Sequence, residues 1–376
     1  MHEFSIRFFT AIQTNLSAKS LQRLDNISKS ECLAYCVRSL HITDKRHAYG
    51  QDYKWDRHDS GQLIDSLPGA DLLQDILTTR LVKCRSFRID CYNEFEVPTR
   101  TDSLVPGDIL GIIFAIVTKA SIAMRSLSIQ RRTSGPWRIE SSLNITSLRI
   151  PLQVQGGSNV ASAHLQELVL NYWMTEDQYD WALGLISYSP KLRSLSLIFH
   201  TVHPVHPNSF MQRLITMRAP VRLKYFRLES AHVKVKTISR FLQRTRATLR
   251  VLSIRYVTIE DGGTWATVLN KLAANLLHLE DFALTFCAEG QAQRSRRVVI
   301  NNLAKIPIMN GSSELEYTIQ GLRADQRSLE ALGRPITLWY SPWDREGTVV
   351  AVRYQGPAMG PFLRILAEAA ELRPQT

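Results

Sequence analysis

KLRSLSLIFHTVHPVHP, residues 191–207, carries two patterns that lead to different proteins. In its first half, Leu192-x-x-Leu195-x-Leu197, residues 195 and 197 fall on one side of a period-2 chain. Leu192 enters the same core from the preceding turn, so the stretch reads as a short half-buried strand. The second half spaces His200, His203 and His206 three apart, and a zinc site needs three or four converging ligands of this kind. Pro204 and Pro207 decide locally between the two. They interrupt any helix that would align the three rings, and they hold His203 and His206, the residues before them, in extended geometry. No H-E-x-x-H accompanies the cluster. The expectation is a connecting loop leading to a helix near Asn208, with no metal and no cofactor.

The strand half recurs. Apolar-x-x-apolar-x-apolar appears nine times, as VRSLHI (37–42), CRSFRI (84–89), MRSLSI (124–129), ITSLRI (145–150), LQELVL (165–170), LRSLSL (192–197), LKYFRL (223–228), LRVLSI (249–254) and LEDFAL (279–284). From Leu127 onward the central residues fall 20 to 31 residues apart, in or close to the leucine-rich-repeat range of about 20–29. Helix-length apolar patterns lie between copies, over 71–79, 108–119, 177–187, 208–217, 236–245 and 264–275, with Asp177 and Asn208 as N-caps. Strand, crossover helix and next strand favour parallel pairing. The predicted fold is α/β: a curved leucine-rich-repeat solenoid of parallel strands and crossover helices. Its expected parts are an N-terminal helical cap over 1–36, the repeats over 37–290 and a C-terminal capping segment over 291–376. In the last part, ELEYTI (314–319), PITLWY (335–340) and TVVAVRY (348–354) read as strands, and PFLRILAEAAEL (361–372) as a closing helix.

Composition narrows the function classes. The 376 residues are 44% hydrophobic and 21% charged, which is ordinary globular usage. The net charge of +12 favours acidic partners and keeps nucleic-acid binding open as an alternative class. The longest apolar run, 109–117, is far short of the roughly twenty residues of a membrane span. Residues 1–15 lack the pattern of a signal peptide. A cytoplasmic or nuclear protein without membrane association is expected, with Cys32, Cys36, Cys84, Cys91 and Cys287 as reduced core thiols. Phosphate-loop, dinucleotide and nucleophile-elbow motifs are absent from the sequence, so an enzyme is not expected. Arg131-Arg132-Thr133-Ser134 has the form of a basic-directed phosphorylation site at Ser134.

The candidate binding residues alternate with the leucines and point away from the core. They are Arg88, Arg149 and Arg227 at the fifth motif position, with Ser196 beside them, and Asn171, Glu229 and Arg255 one alternation further on. If every copy forms one strand in order, Arg88, Arg149 and Arg227 stand roughly 10 and 14 Å apart on one face. Arginines on a rigid sheet suit bidentate contact with carboxylates or phosphates. Pairing with Asp90 and Glu229 would instead only keep the sheet soluble.

SLQRLDNIS with YCVRSLHI, LVKCRSFRI, SPKLRSLSL, TLRVLSI, LLHLEDFAL and the terminal AVRYQGPAMGPFLRILAEAAE together resemble the fungal F-box-associated leucine-rich-repeat proteins, over nearly the whole chain. The resemblance implies a non-enzymatic protein-interaction module that recognises substrates for a cullin-RING ubiquitin ligase and contacts the ligase adaptor. The F-box that usually precedes the repeats is not recognisable here. Ser66-Leu67-Pro68 has a similar opening, but the chain enters the next strand within twenty residues, leaving no room for three helices. A stand-alone repeat scaffold is the alternative within the binding class.

Overall fold

The computed structural model describes residues 8–43, 53–58, 63, 67–91, 104, 106–131, 160–171, 176–199, 205–217, 222–260, 262–290, 296–300, 336–340, 349–357 and 359–374. The chain divides into two compact units, Met1–Leu192 and Arg193–Thr376. Both are α/β, with mostly parallel strands alternating with helices. The copy at 145–150, His200, His203 and Ser134 lie outside the described residues.

Among the described residues the first unit contains five strands paired in chain order, all parallel: β1 (Ala11–Thr14), β2 (Ser39–Thr43), β3 (Ser86–Cys91), β4 (Ser126–Arg131) and β5 (Glu167–Asn171). Their register stacks Ile12, Leu40, Phe87, Leu127 and Leu168 in one row. Thr14, Ile42, Ile89, Ile129 and Leu170 make the next. Every one of these side chains is buried. Two findings depart from expectation. Residues 11–14 form a strand inside the stretch read as a helical cap. In addition, β4 pairs directly with β5, so the place expected for the 145–150 copy between them is closed.

The helices of this unit show why the intervening sequence is helical. In α1 (Ala18–Lys29) the Ser17 hydroxyl accepts the Ser20 amide at 3.2 Å, and Leu21 and Leu24 face inward. The nearly buried Asp25 is held ionised below its usual range by hydrogen bonds from Lys29 and then Arg80. A short α2 (Glu31–Cys36) follows. Cys36 is buried but Cys32 is exposed; its one-turn spacing from Cys36 does not carry it into the core. After α3 (Pro68–Asp75) comes a single π-helical turn, Ile76–Arg80, which leads into β3. The apolar run near 109 lies in α4 (Pro106–Lys119), whose buried Asp108 receives Arg57 at 3.1 and 2.5 Å. Short α5 (Val160–Ala163) and α6 (Glu176–Ser187) complete the unit.

The second unit repeats a longer module. Strands β6 (Ser194–Ile198), β7 (Tyr225–Glu229), β9 (Val251–Arg255) and β11 (Asp281–Thr285) pair in parallel. Leu195, Phe226, Leu252 and Phe282 form one buried row, and Leu197, Leu228, Ile254 and Leu284 the next. After β7, β9 and β11 the chain turns a corner at Ser230, Tyr256 and Phe286, all with φ near +50°. It then enters the short strands β8 (His232–Lys234), β10 (Thr258–Glu260) and β12 (Ala288–Glu289) of a second sheet. The positive φ is costly for non-glycine residues. It is offset by the ladder continuing through the corner: the Ser230 amide donates to Arg255 O at 2.9 Å and the Tyr256 amide to Thr285 O at 2.8 Å. Tyr256 also stacks on Phe286 at 5.2 Å.

Helices α7 (Val205–Thr216), α8 (Val235–Thr245) and α9 (Trp265–Asn275) close the modules. α7 starts three residues before Asn208, because a proline in a first turn removes an amide that has no helical partner anyway. Asn208 is therefore not the cap; its Oδ1 accepts the Lys234 amide at 3.1 Å. Likewise Asp177 lies within α6, which begins at Glu176. Strand β15 (Val349–Gln355) joins β11 antiparallel, and β14 (Ile336–Tyr340) joins β15. Then α10 (Met359–Ala369) packs against α9. The expected closing helix ends at Ala369, and Ala370–Pro374 forms β16, antiparallel to β13 (Arg296–Ile300).

Removing Leu252 from its row should cost about 2–5 kcal/mol in Leu252→Ala, with little relaxation in so regular a core. Ser253→Ala, one residue on and facing out, should stay within about 0.5 kcal/mol. Urea unfolding of both variants checks this, and equal losses would contradict the assigned register.

Candidate functional site

The two outward-facing surfaces differ in how their charges are answered. In the first unit His41, Arg88, Ser128 and Val169 form one row across β2 to β5, and Thr43, Asp90, Gln130 and Asn171 the next. The Arg88 Nε donates to Asp90 Oδ1 at 2.8 Å, two residues along the same strand. Gln130 Nε2 donates to Ser128 Oγ at 2.9 Å. Arg88 is thus tied to a carboxylate, and Asn171 sits half-buried at the end of its row.

In the second unit one registered row runs Ser196, Arg227, Ser253, Ala283 and Arg353. The small side chains of Ser253 and Ala283 leave a gap between two long ones. That gap is an open cleft of about 520 Å³, edged by Tyr225, Asp281, Arg255 and Phe286. Both flanking arginines are held. Arg227 donates through its Nε to Glu229 Oε2 at 3.1 Å and pairs with the same oxygen through a terminal nitrogen. Arg353 forms a two-pronged contact with Asp281 at 2.9 and 2.5 Å. Burial by itself would raise the Asp281 carboxyl. The hydrogen bonds from Arg353 and Gln355, with the Arg353 charge, outweigh that and hold it below its usual range.

Arg255 is different. Its Nε stands 3.9 Å from Glu229 Oε1, beyond hydrogen-bond reach, and that buried nitrogen has no acceptor among the described residues. Its guanidinium lies over the Tyr256 ring, 4.9 Å from the centroid. The side chain is 43% exposed. Glu229, already engaged by Arg227, cannot fully satisfy a second arginine. The result is a cation whose one hydrogen bond among the described residues is a long one, from a terminal nitrogen to the Tyr256 hydroxyl at 3.5 Å, on an aromatic ledge formed by Tyr256 and Phe286.

No protein-family model matches this chain, and no curated protein matches it.

The structure brings Arg227, Glu229 and Arg255 together in the second unit and places Arg88 and Asn171 in the first. Arg149 lies outside the described residues, and the pairing of β4 with β5 closes the slot from which its spacing to Arg88 was reckoned. Ser196 is 6% exposed. A short hydroxyl set beside the longer Arg227, it presents almost no surface. Sequence reasoning missed Arg353, Asp281, Tyr256 and Phe286. The strand 348–354 was visible, but nothing local shows that it returns antiparallel beside β11. Of the histidines, His206 falls in the first turn of α7. No group of three or more metal-ligating side chains occurs among the described residues, and no described helix is long and apolar enough to cross a membrane. Cys84 and Cys287 are pushed up to about 12 by burial, which keeps both as inert thiols at neutral pH.

Asp281 generates a signed pH prediction. Its folded pKa is depressed, so its contribution is present above the unfolded value of 3.8 and is lost as pH falls through the lower folded value. Asp281→Asn should therefore be less stable than the parent by about 0.5–1 kcal/mol at neutral pH, a small value because Arg353 is nearly half exposed. The gap should close as the pH is lowered below 3.8. Thermal melts across that range test it, and a gap independent of pH would refute the ion-pair account.

Proposed function

We propose that this chain is a non-enzymatic protein–protein interaction module of the leucine-rich-repeat solenoid type. It holds a protein partner on the open sheet face of the second unit. The observation that carries the reading is the Arg255 guanidinium, with its buried and unsatisfied Nε, at the edge of a cleft floored by Ser253 and Ala283. A partner carboxylate would meet the exposed terminal nitrogens of Arg255, which its distant contact with Glu229 leaves available. A neighbouring apolar side chain would cover the Tyr256–Phe286 ledge. Desolvated arginine and aromatic groups of this kind are what interface hot spots consist of. The regular recurrence of strand, corner and helix supports the repeat assignment, since stacked modules of one design yield a rigid, extended face. By its resemblance to the fungal F-box-associated repeat proteins, the specific role is substrate recognition for a cullin-RING ubiquitin ligase. An acidic protein segment is the expected substrate feature.

A photo-crosslinking side chain placed at Ser253 in the full-length protein, expressed in its native host, tests this. A discrete protein adduct is expected from position 253 and none from Asn270, an exposed position on α9. Arg255→Glu should reduce the adduct by about tenfold or more, the usual scale for reversing a hot-spot charge. Co-purification of the ligase adaptor and cullin would support the ligase role. A specific adduct without them would favour the stand-alone scaffold. Equal labelling from both positions would overturn the assignment of the face.

A further inference from the structure

A second cleft, of about 620 Å³, opens between α8 and α9. It exists because of Gly263: a Cβ there would fall 2.1 Å from Val235 Cγ2, so only glycine lets the turn before α9 pass against the start of α8. The floor is apolar, with Leu242, Leu272 and Leu276 all buried. The rim is basic. Lys236 and Arg240 stand one turn apart on α8, and Lys271 faces them from α9. These three are exposed, and no side chain among the described residues pairs with them. The one carboxylate among the described lining residues, Glu260, faces His232 at 3.4 Å across the β8–β10 pair.

Two further features of the cleft point the same way. The Ser239 hydroxyl is shielded from solvent and makes no hydrogen bond to a described residue. Helix α8 carries no acid in its first turn, so a negative charge near its start is favourable. Cations on both walls with no partner among the described residues, that hydroxyl and the helix start are all complementary to anionic oxygens. The volume falls in the range of small-molecule sites, about 300–1,000 Å³.

We propose that this cleft binds a small ligand carrying two phosphoryl groups. One group is held by Lys236 and Arg240 with the Ser239 hydroxyl, the other by Lys271 across the cleft. Two groups are inferred because the cations stand on two opposing walls. The site is separate from the sheet-face cleft and does not rest on the function proposed for it.

Isothermal titration of the full chain with inorganic pyrophosphate at physiological ionic strength tests the proposal, with each variant's melting temperature confirming that it folds. One saturable site is expected. Arg240→Gln and Lys271→Gln should each weaken binding about tenfold, as loss of a charge-assisted contact does, and Ser239→Ala about threefold. Arg255→Gln removes the same charge from the sheet face and should leave the affinity within about twofold, since screening confines such effects to near neighbours. No saturable binding, or an equal loss with Arg255→Gln, would overturn the site. A phosphoserine peptide binding about tenfold more tightly than pyrophosphate would overturn the assignment to a small ligand. Failure here with Ser253 crosslinking intact would sink this site and leave the sheet-face reading standing.

Discussion

Each unit depends on one constraint: the parallel ladder has a single permitted register. A strand of five residues offers two or three side chains to each face. A slip of one residue would exchange Phe226, Leu252 and Phe282 for the arginine, serine and alanine beside them. Burying Arg227 without Glu229 would cost several kcal/mol, whereas the observed register buries only apolar groups in the two core rows of the second unit. The backbone just before each strand reinforces this. The amides of Lys224, Arg250 and Glu280 each donate to the carbonyl one module earlier, at 2.7 to 2.8 Å. The same arrangement recurs in the first unit, where Arg125 donates to Arg85 and Gln166 to Arg125. Once register is fixed, the outward rows are fixed too, and so is the placement of every charge on the sheet face.

The second unit extends this order around a corner. A residue with positive φ after β7, β9 and β11 redirects the chain, and at the first two corners its amide stays in the ladder. The apolar pattern then continues. Ala231, Val257 and Cys287 are buried at the third position after each strand's last core residue, and Val233 and Ile259 two positions further. The Glu289 carboxylate takes the equivalent place in the last module. It is buried there because it accepts the Trp265 amide at 2.5 Å. Burial raises its pKa, and that hydrogen bond opposes the rise. The last module therefore trades an apolar contact for a tie to the start of α9. That helix is also held by the Trp265 indole, which donates to Ala288 O at 3.0 Å.

What was legible in the sequence follows from what is local. Alternation marks a half-buried strand wherever it falls, so eight of the nine motif copies coincide with described strands. Helix bodies were visible for the same reason, although Pro207 and Asn208 misplaced one start. The corners were not legible, because glycine and asparagine are the residues that announce a left-handed turn, and here serine, tyrosine and phenylalanine adopt it. Nor was ITSLRI distinguishable from its neighbours by pattern, although β4 and β5 pair directly; conversely β1 joins the row with Thr14 where the motif has an apolar residue. The cleft between Arg227 and Arg353 needs a partner 72 residues beyond Asp281. No short-range signal carries a pairing over that distance.

Charge shows the same distinction between composition and placement. A net charge of +12 suggests a uniformly basic surface, yet the sheet faces hold their arginines in pairs: Arg88 with Asp90, Arg227 with Glu229 and Arg353 with Asp281. An arginine that already holds a carboxylate contributes little to long-range attraction and much to local shape, since the pair is neutral at a distance greater than its own length. Arg255 is matched less closely, at 3.9 Å, because two arginines meet one glutamate. Between α8 and α9, Lys236, Arg240 and Lys271 meet no carboxylate among the described residues. The total charge of the chain thus says less than the placement of these few cations does.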